Sequence, residues 1–383
     1  MNDLDSNGHL YTDSGKKIPE LNLNPKAYID KTIVIYGPSK TGKTVITKNI
    51  MKIVNAYIDQ ILVIAPSEPS NRSYEGFVEA PFIHYKLFIS DPNANSSSKR
   101  DDSKERSFAF LESIWKRQEM MAAIYTRTNK IEIIESLFSH VVPHIKEEGE
   151  TIVNNINAKR KIATEEIKNK YNNNPGLCDA KLKELNSMYD DLLIQLYKKY
   201  IHIDYENVWQ LNLTEDERYS LQYLCFNPRL LLIFDDCAAQ LKPFFSKEIF
   251  RKLFYQNRHG FITLIICCQD DTDLPTNLRK NAFINFFTEP VVCLSNFERS
   301  SNNYSKQAKS FVTEIIPYVF KGYRKMAYIR EDDKCNFFYH VTFEYPELFK
   351  FGSIALQELC DVVKNTGTMM DTSNPFYDYF KLT

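Results

Sequence analysis

The segment Gly37-Pro38-Ser39-Lys40-Thr41-Gly42-Lys43-Thr44 constrains this chain more than any other stretch. It has the spacing G-x-x-x-x-G-K-T. Its two glycines let the backbone curl until successive N–H groups converge, a nest that suits phosphate oxygens. The setting gives the match its weight. Lys31–Tyr36 (KTIVIY) ahead of it is a short apolar, β-branched run, and Val45–Tyr57 behind it carries Ile46, Ile50, Ile53 and Val54 at helical spacing. Strand, glycine loop and helix in that order are what a phosphate loop requires, because the helix adds its positive N-terminal end to the nest. The expectation is that Gly37–Thr44 binds ATP, that Lys43 reaches the β- and γ-phosphates, and that the Thr44 hydroxyl ligates Mg²⁺.

The rest of the chain alternates around one interruption. Ile61–Ala65, ended by Pro66, reads as a second buried parallel strand, and Phe82–Ile89 as a third. Residues 1–27 are polar, with Gly8, Gly15, Pro19 and Pro25, and read as an extended or partly ordered leader without a signal-peptide core. Asp91–Glu105 reads as a loop. From Ser107 to Tyr205 the strand signals vanish. Two charged amphipathic segments there, Thr151–Lys170 and Asp179–Tyr200, flank Asn172-Asn173-Asn174-Pro175-Gly176 and predict an antiparallel helical hairpin, either a solvated arm or a partner contact. Strands return at Leu230–Phe234, Phe261–Cys268 and Ala282–Phe287, with a helix over Phe244–Asn257 and a late antiparallel pair at Arg324–Arg330 and Asn336–Phe343. The fold class expected is α/β: a P-loop NTPase core with a mostly parallel sheet and a long α-helical insertion. Its parts are a leader at 1–27, core halves at 28–106 and 206–345, the insertion at 107–205, and a tail at 346–383, loosely held from Gly367.

Leu230–Asp236 is an apolar strand ending in two acids. In P-loop enzymes the acid at such a strand end holds Mg²⁺, the role expected of Asp235. Asp236 suits a general base that polarises the attacking water. That favours a hydrolytic motor over a GTPase-like switch, which would want a glycine where Cys237-Ala238-Ala239 stands. The long gap from Lys43 to Asp235 is what an insertion at a loop produces. Gln269 ends the strand Ile262–Cys268. In P-loop motors that strand lies between the phosphate-loop strand and the metal-side strand, so Gln269 is expected to sense the γ-phosphate or orient the water. Arg258 and Arg279, on either side of this strand, are the candidate guanidinium groups for stabilising developing charge, a residue often supplied by a neighbouring subunit. His140 and His144 are four apart, but Pro143 interrupts them and no HExxH glutamate follows, so they are not read as metal ligands. Asp270, Asp271 and Asp273 read as loop contacts.

A net charge of −1 provides no global field toward nucleic acid, so any DNA contact must come from a local basic surface or an assembled ring. The eight cysteines lack CxxC spacing and read as reduced, buried thiols of an intracellular protein. No apolar run reaches transmembrane length.

Four segments, taken in order, resemble the DNA-packaging ATPases of nucleocytoplasmic large DNA viruses, a branch of the FtsK–HerA superfamily. They are IVIYGPSKTGKT (Ile33–Thr44), LLLIFDDC (Leu230–Cys237), NRHGFITLIICCQD (Asn257–Asp270) and LPTNLRKNAFINFF (Leu274–Phe287). The last two are the most telling: an Arg-His ahead of the strand, a Gln ending it, and Pro-x-x-Leu-Arg-x-Asn soon after. The likeness covers roughly half the chain. It implies a RecA-like core that assembles into a hexameric or pentameric ring and drives double-stranded DNA into a preformed capsid with ATP hydrolysis. Capsid or portal components would be partners, in the host cytoplasm, the virus factory or on the virion. By position, Lys43, Thr44, Asp235, Asp236 and Gln269 take the nucleotide roles, and Arg279 that of the arginine acting in trans. Two rivals stand beside this reading. One is a P-loop helicase or DNA-transfer ATPase. The other is an ATP-switched assembly factor whose helical arm docks on a capsid or membrane scaffold.

Overall fold

The computed structural model describes residues 9–21, 24–85, 99–202, 210–330, 336–345, 348–354 and 357. These fall into two compact units, one drawn from residues 1–119 and 228–383, the other from 120–227. In chain order the first stretch holds β1 (Leu10–Tyr11), β2 (Lys17–Ile18), β3 (Thr32–Tyr36), α1 (Lys43–Val54), β4 (Gln60–Ile64), α2 (Glu68–Asn71) and β5 (Ile83–His84). Then come α3 (Lys99–Thr128), α4 (Ile131–Ser139), α5 (Pro143–Lys170), α6 (Pro175–Tyr200) and α7 (Glu215–Gln222). The chain returns to the sheet with β6 (Leu230–Asp235), α8 (Ala238–Leu241), α9 (Glu248–Tyr255), β7 (Ile262–Cys268), α10 (Thr276–Asn281), β8 (Ile284–Phe287), α11 (Pro290–Glu298), α12 (Lys306–Val319), β9 (Arg324–Ile329) and β10 (Phe337–Val341).

Eight strands form one sheet in the order β10-β9-β8-β3-β7-β6-β4-β5. From β5 to β8 every pairing is parallel, and β9 and β10 close the sheet antiparallel. Every residue of β3, β4, β6 and β7 is buried. This explains why these strands read as mostly apolar runs rather than alternations: a parallel sheet covered on both faces has no polar face to encode. The predicted α/β core with a mostly parallel sheet is therefore the architecture found.

Three local expectations change. Phe82–Ile89 was expected as a full strand, but β5 spans two residues and 86–89 lie outside the described set. Within the expected loop Asp91–Glu105, residues from Lys99 onward belong to α3. Lys, Arg, Asp and Glu there describe a polar helix as well as they describe a loop, and only the absence of Gly and Pro separates the two. The leader is more firmly placed than its polarity suggested. Leu10 and Ile18 are fully buried, and Leu21 N and Tyr339 N bond to Tyr339 O and Pro19 O. This segment thereby pairs with the outer edge of β10, which would otherwise present open backbone groups. The tail from Gly367 lies outside the described residues.

The segments expected to form a hairpin are α5 and α6, joined through Asn174, whose side chain caps α6 by accepting from Leu177 N. Arg160 links them through Asn186 and Asp190. This second unit has its own apolar cluster, including Ile134, Leu137, Phe138, Val153, Leu193 and Tyr197. Among the described residues no helix is long and apolar enough to cross a membrane.

Candidate nucleotide site

Parallel strands bring their C-terminal ends to one edge, and here those ends carry the chemistry. β3 runs into the glycine loop. β7, hydrogen-bonded to β3, ends at Gln269, and β6, on the far side of β7, ends at Asp235-Asp236. The chain leaves β3 toward β4 on one side, while β8 lies on the other. The loop therefore sits where the strand order reverses, the usual position for a ligand crevice in open α/β sheets.

The loop is pinned from both flanks. Gly37 N donates to Cys268 O at 3.1 Å. Thr41 Oγ1 donates to Pro38 O at 2.8 Å and stands 2.5 Å from the Oγ1 of Thr288, the residue after β8. Lys43 is buried, and its ammonium reaches back to Gly37 O at 2.6 Å and Pro38 O at 2.9 Å, across the mouth of the loop. Gly42 adopts φ +102° and caps α1 without a side chain, leaving the first N–H groups of that helix directed into the loop. Gly37 is fixed by space: a Cβ there would lie 1.6 Å from Thr288 Oγ1. Gly37→Ala is accordingly expected to displace the loop, lowering stability by about 1–3 kcal/mol, as overpacking does. Thermal denaturation, with ATP titration alongside, checks this.

Thr44 lines a cleft of about 470 Å³ together with Ser39, Lys40, Lys43, Asn71, Asp235 and Asp236. Asp235 is 6% exposed, and its Oδ2 accepts from the Tyr74 hydroxyl at 2.8 Å. Burial pushes its carboxyl up, while the Tyr74 hydroxyl, Cys267 and the Lys43 ammonium pull the other way. A buried carboxylate beside a threonine hydroxyl is a hard-oxygen donor set. It fits Mg²⁺, which takes one or two carboxylates and completes its shell with phosphate oxygens and water. Asp236 differs from Asp235 in every respect. It is exposed, sits at φ +54°, and its Oδ1 accepts from Gln269 Nε2 at 2.9 Å. The left-handed backbone turns its carboxylate out of the strand line, a conformation Asp tolerates better than most residues.

Arg279 lies elsewhere. It is 7% exposed, and its Nη1 donates to the Asp271 carboxylate at 3.0 Å and to Asp271 O at 3.0 Å, while Nη2 donates to Thr276 Oγ1. Arg258 is exposed but precedes β7, at the end of that strand remote from Gln269. The acidic turn acts through loop contacts: Asp273 Oδ2 accepts from Gln269 N and Asp270 N, fixing the turn that aims Gln269. Sequence reasoning missed Tyr74 and Thr288. No local signal marks Tyr74, whose partner is 161 positions away. Thr288 shows a weaker form of the signal that picked out Gln269, a polar residue directly after a buried strand, here one that also carries Asn285.

No family model matches the chain. Among curated proteins, B354L of African swine fever virus is 50% identical over 376 residues, 98% of this chain and 99% of that protein. The chain belongs to the B354L family. A more distant relative, protein 075L of Invertebrate iridescent virus 6, is 27% identical over 150 residues, 39% of this chain and 53% of its own length. Solved structures similar to this B354L-family chain include the genome packaging NTPase B204 from Sulfolobus turreted icosahedral virus 2 in complex with AMPPCP. Its TM-score is 0.37 and its identity 14%, covering 84% of this chain and 100% of that one. The plasmid coupling protein TrwB in complex with GDPNP has a TM-score of 0.28 and 10% identity, covering 88% and 91%.

Proposed function

We propose that this protein binds ATP with Mg²⁺ between the phosphate loop and Asp235-Asp236, hydrolyses it, and uses the cycle to move double-stranded DNA during packaging of a viral genome. The observation that carries the hydrolytic part is the Gln269–Asp236 hydrogen bond beside the loop. It joins an exposed carboxylate, which also lines the cleft with the loop, to an amide, and this supports the reading that the pair faces the γ-phosphate.

In this reading Asp235 and Thr44 hold Mg²⁺, which would neutralise charge on the phosphate oxygens. Gln269 holds Asp236 Oδ1 by their direct bond, and the other Asp236 carboxylate oxygen accepts from the attacking water. As the water oxygen attacks the γ-phosphorus, Asp236 takes its proton and the bond to the bridging oxygen breaks, releasing ADP and phosphate. Lys43 exchanges the loop carbonyls for phosphate oxygens and stabilises the charge on the transferring group. The DNA-moving part is supported by the four-segment resemblance to viral packaging ATPases, and membership of a viral protein family is in keeping with it. A ring of subunits, capsid or portal partners, and action in the host cytoplasm or virus factory belong to the same proposal.

The test is steady-state ATP hydrolysis by the purified chain with and without long double-stranded DNA, beside Lys43→Ala. DNA should stimulate turnover, and Lys43→Ala should abolish productive binding. Turnover in the native chain that ignores DNA would remove the translocase and leave the ATP-switched assembly factor. Full turnover in Lys43→Ala would remove the nucleotide site itself.

A further inference from the structure

The acids and Gln269 mark which way a nucleotide must lie. They stand at the ends of β6 and β7, so the terminal phosphate faces that side, and the nucleoside leaves from the opposite end of the phosphate chain. The residue that follows the loop is Val45, in the first turn of α1. Val45 lines the phosphate cleft and also a second cavity of about 190 Å³, walled by Lys48, Phe77, Phe343, Glu344 and Tyr345. The two spaces are neighbours, with the Val45 side chain on the wall of both.

The second cavity is built rather than incidental. β10 ends at the same edge of the sheet as β3, and the chain then crosses α1 at Phe343–Tyr345. Asn49, fully buried in α1, fixes that crossing: its Nδ2 donates to Phe343 O at 2.7 Å, and its Oδ1 accepts from Phe343 N at 3.4 Å. A buried amide is costly unless its bonds are made, and here it makes them to one backbone unit. Phe343 itself is 39% exposed, so the clamp holds an open aromatic ring beside Val45. Tyr345 packs edge-on to it at 5.0 Å and continues to Phe349 and Phe77. Lys48 lies over the Phe77 ring at 4.3 Å, and Glu344 lines the same cavity. An apolar aromatic wall with one donor and one acceptor at its rim matches a flat heterocycle with polar edges.

We propose that this cavity is the base subsite of the nucleotide, in which the ring of a nucleoside triphosphate packs against Phe343 and Tyr345 with its edge toward Glu344 and Lys48. The inference rests on the reading of Gly37–Thr44 as the triphosphate cradle, and the experiment separates the two. Titration calorimetry on the full chain with Mg²⁺ would use two probes: a non-hydrolysable imido analogue of ATP, and inorganic triphosphate, which has no base. Base–aromatic stacking predicts that Phe343→Ala weakens the analogue by about 10-fold or more, with triphosphate binding unchanged. Phe343→Trp should keep both. Lys43→Ala should weaken both probes. Native analogue affinity in Phe343→Ala and in Tyr345→Leu, with Lys43→Ala impaired, would overturn the base subsite. Equal loss of both probes in Phe343→Ala would also overturn it, since the effect would not depend on the base. Unchanged binding of both probes in Lys43→Ala would instead refute the phosphate loop.

Discussion

Asp236→Asn is expected to bind ATP as the native chain does and to hydrolyse it about 10²- to 10⁴-fold more slowly, the usual contribution of a positioned general base. The substitution is well matched to the site. Asn keeps an oxygen that accepts from Gln269 Nε2, so the 2.9 Å link between the two strand ends survives. Asn also tolerates the left-handed φ of +54° that position 236 requires. Asp236→Ala lacks both properties and would confound backbone strain with lost basicity. Binding should persist because the triphosphate is held by the loop and Lys43, and the metal by Asp235 and Thr44. Single-turnover hydrolysis and nucleotide titration on the same preparation separate the two steps. Turnover near the native rate would move the base away from Asp236 and leave Gln269 without a partner to act on. Weakened binding would mean that Asp236 serves the metal together with Asp235.

How far this could be read from the sequence depends on how local each determinant is. The phosphate loop is contiguous, so its chemistry and its strand–helix context are visible in a few dozen residues. The neighbouring strands are legible too, because burial on both faces leaves a mostly apolar run followed by a polar residue: Asp235, Gln269, and, unread at first, Thr288, whose strand also carries Asn285. What joins these strand ends is not local. That β7 lies between β3 and β6 was expected by analogy with P-loop motors, and the pairing of Val34 with Ile266 and of Phe234 with the same Ile266 realises it. The Tyr74–Asp235 bond and the Asn49 clamp on Phe343 join residues 161 and 294 positions apart, and no periodicity records such pairs. Polar composition misled twice, because a charged helix from Lys99 and a loop share the same residues, and because a leader with few apolar residues still buries Leu10 and Ile18. Arg279 was placed by its position in a motif, whereas its partner Asp271 was read only as part of an acidic turn.

That partner carries the second large expectation. Asp271→Ala should lower the stability of the core unit by about 3–5 kcal/mol, the penalty for breaking a buried ion pair from one side, and its Tm by roughly 10 °C. Asp271 is 1% exposed and accepts from Arg279 Nη1 at 3.0 Å, from Arg299 Nε at 2.8 Å and from Arg299 Nη2 at 2.9 Å. Arg299 is partly exposed and can turn to water when the carboxylate is removed. Arg279 cannot, and its buried guanidinium would keep only Asp271 O and Thr276 Oγ1. Replacing both partners, as Asp271→Leu with Arg279→Met, should recover much of the loss, because two apolar groups leave no orphaned charge. The same pair decides what Arg279 does. If its task is to hold this turn, Arg279→Ala lowers Tm while hydrolysis per folded molecule persists at temperatures below the transition. If it serves a neighbouring subunit's nucleotide, Tm changes little, turnover falls, and mixing with a subunit that keeps Arg279 but lacks Lys43 restores activity. The first outcome is expected, since a guanidinium tied to a carboxylate 1% exposed would have to break a buried pair to reach across an interface.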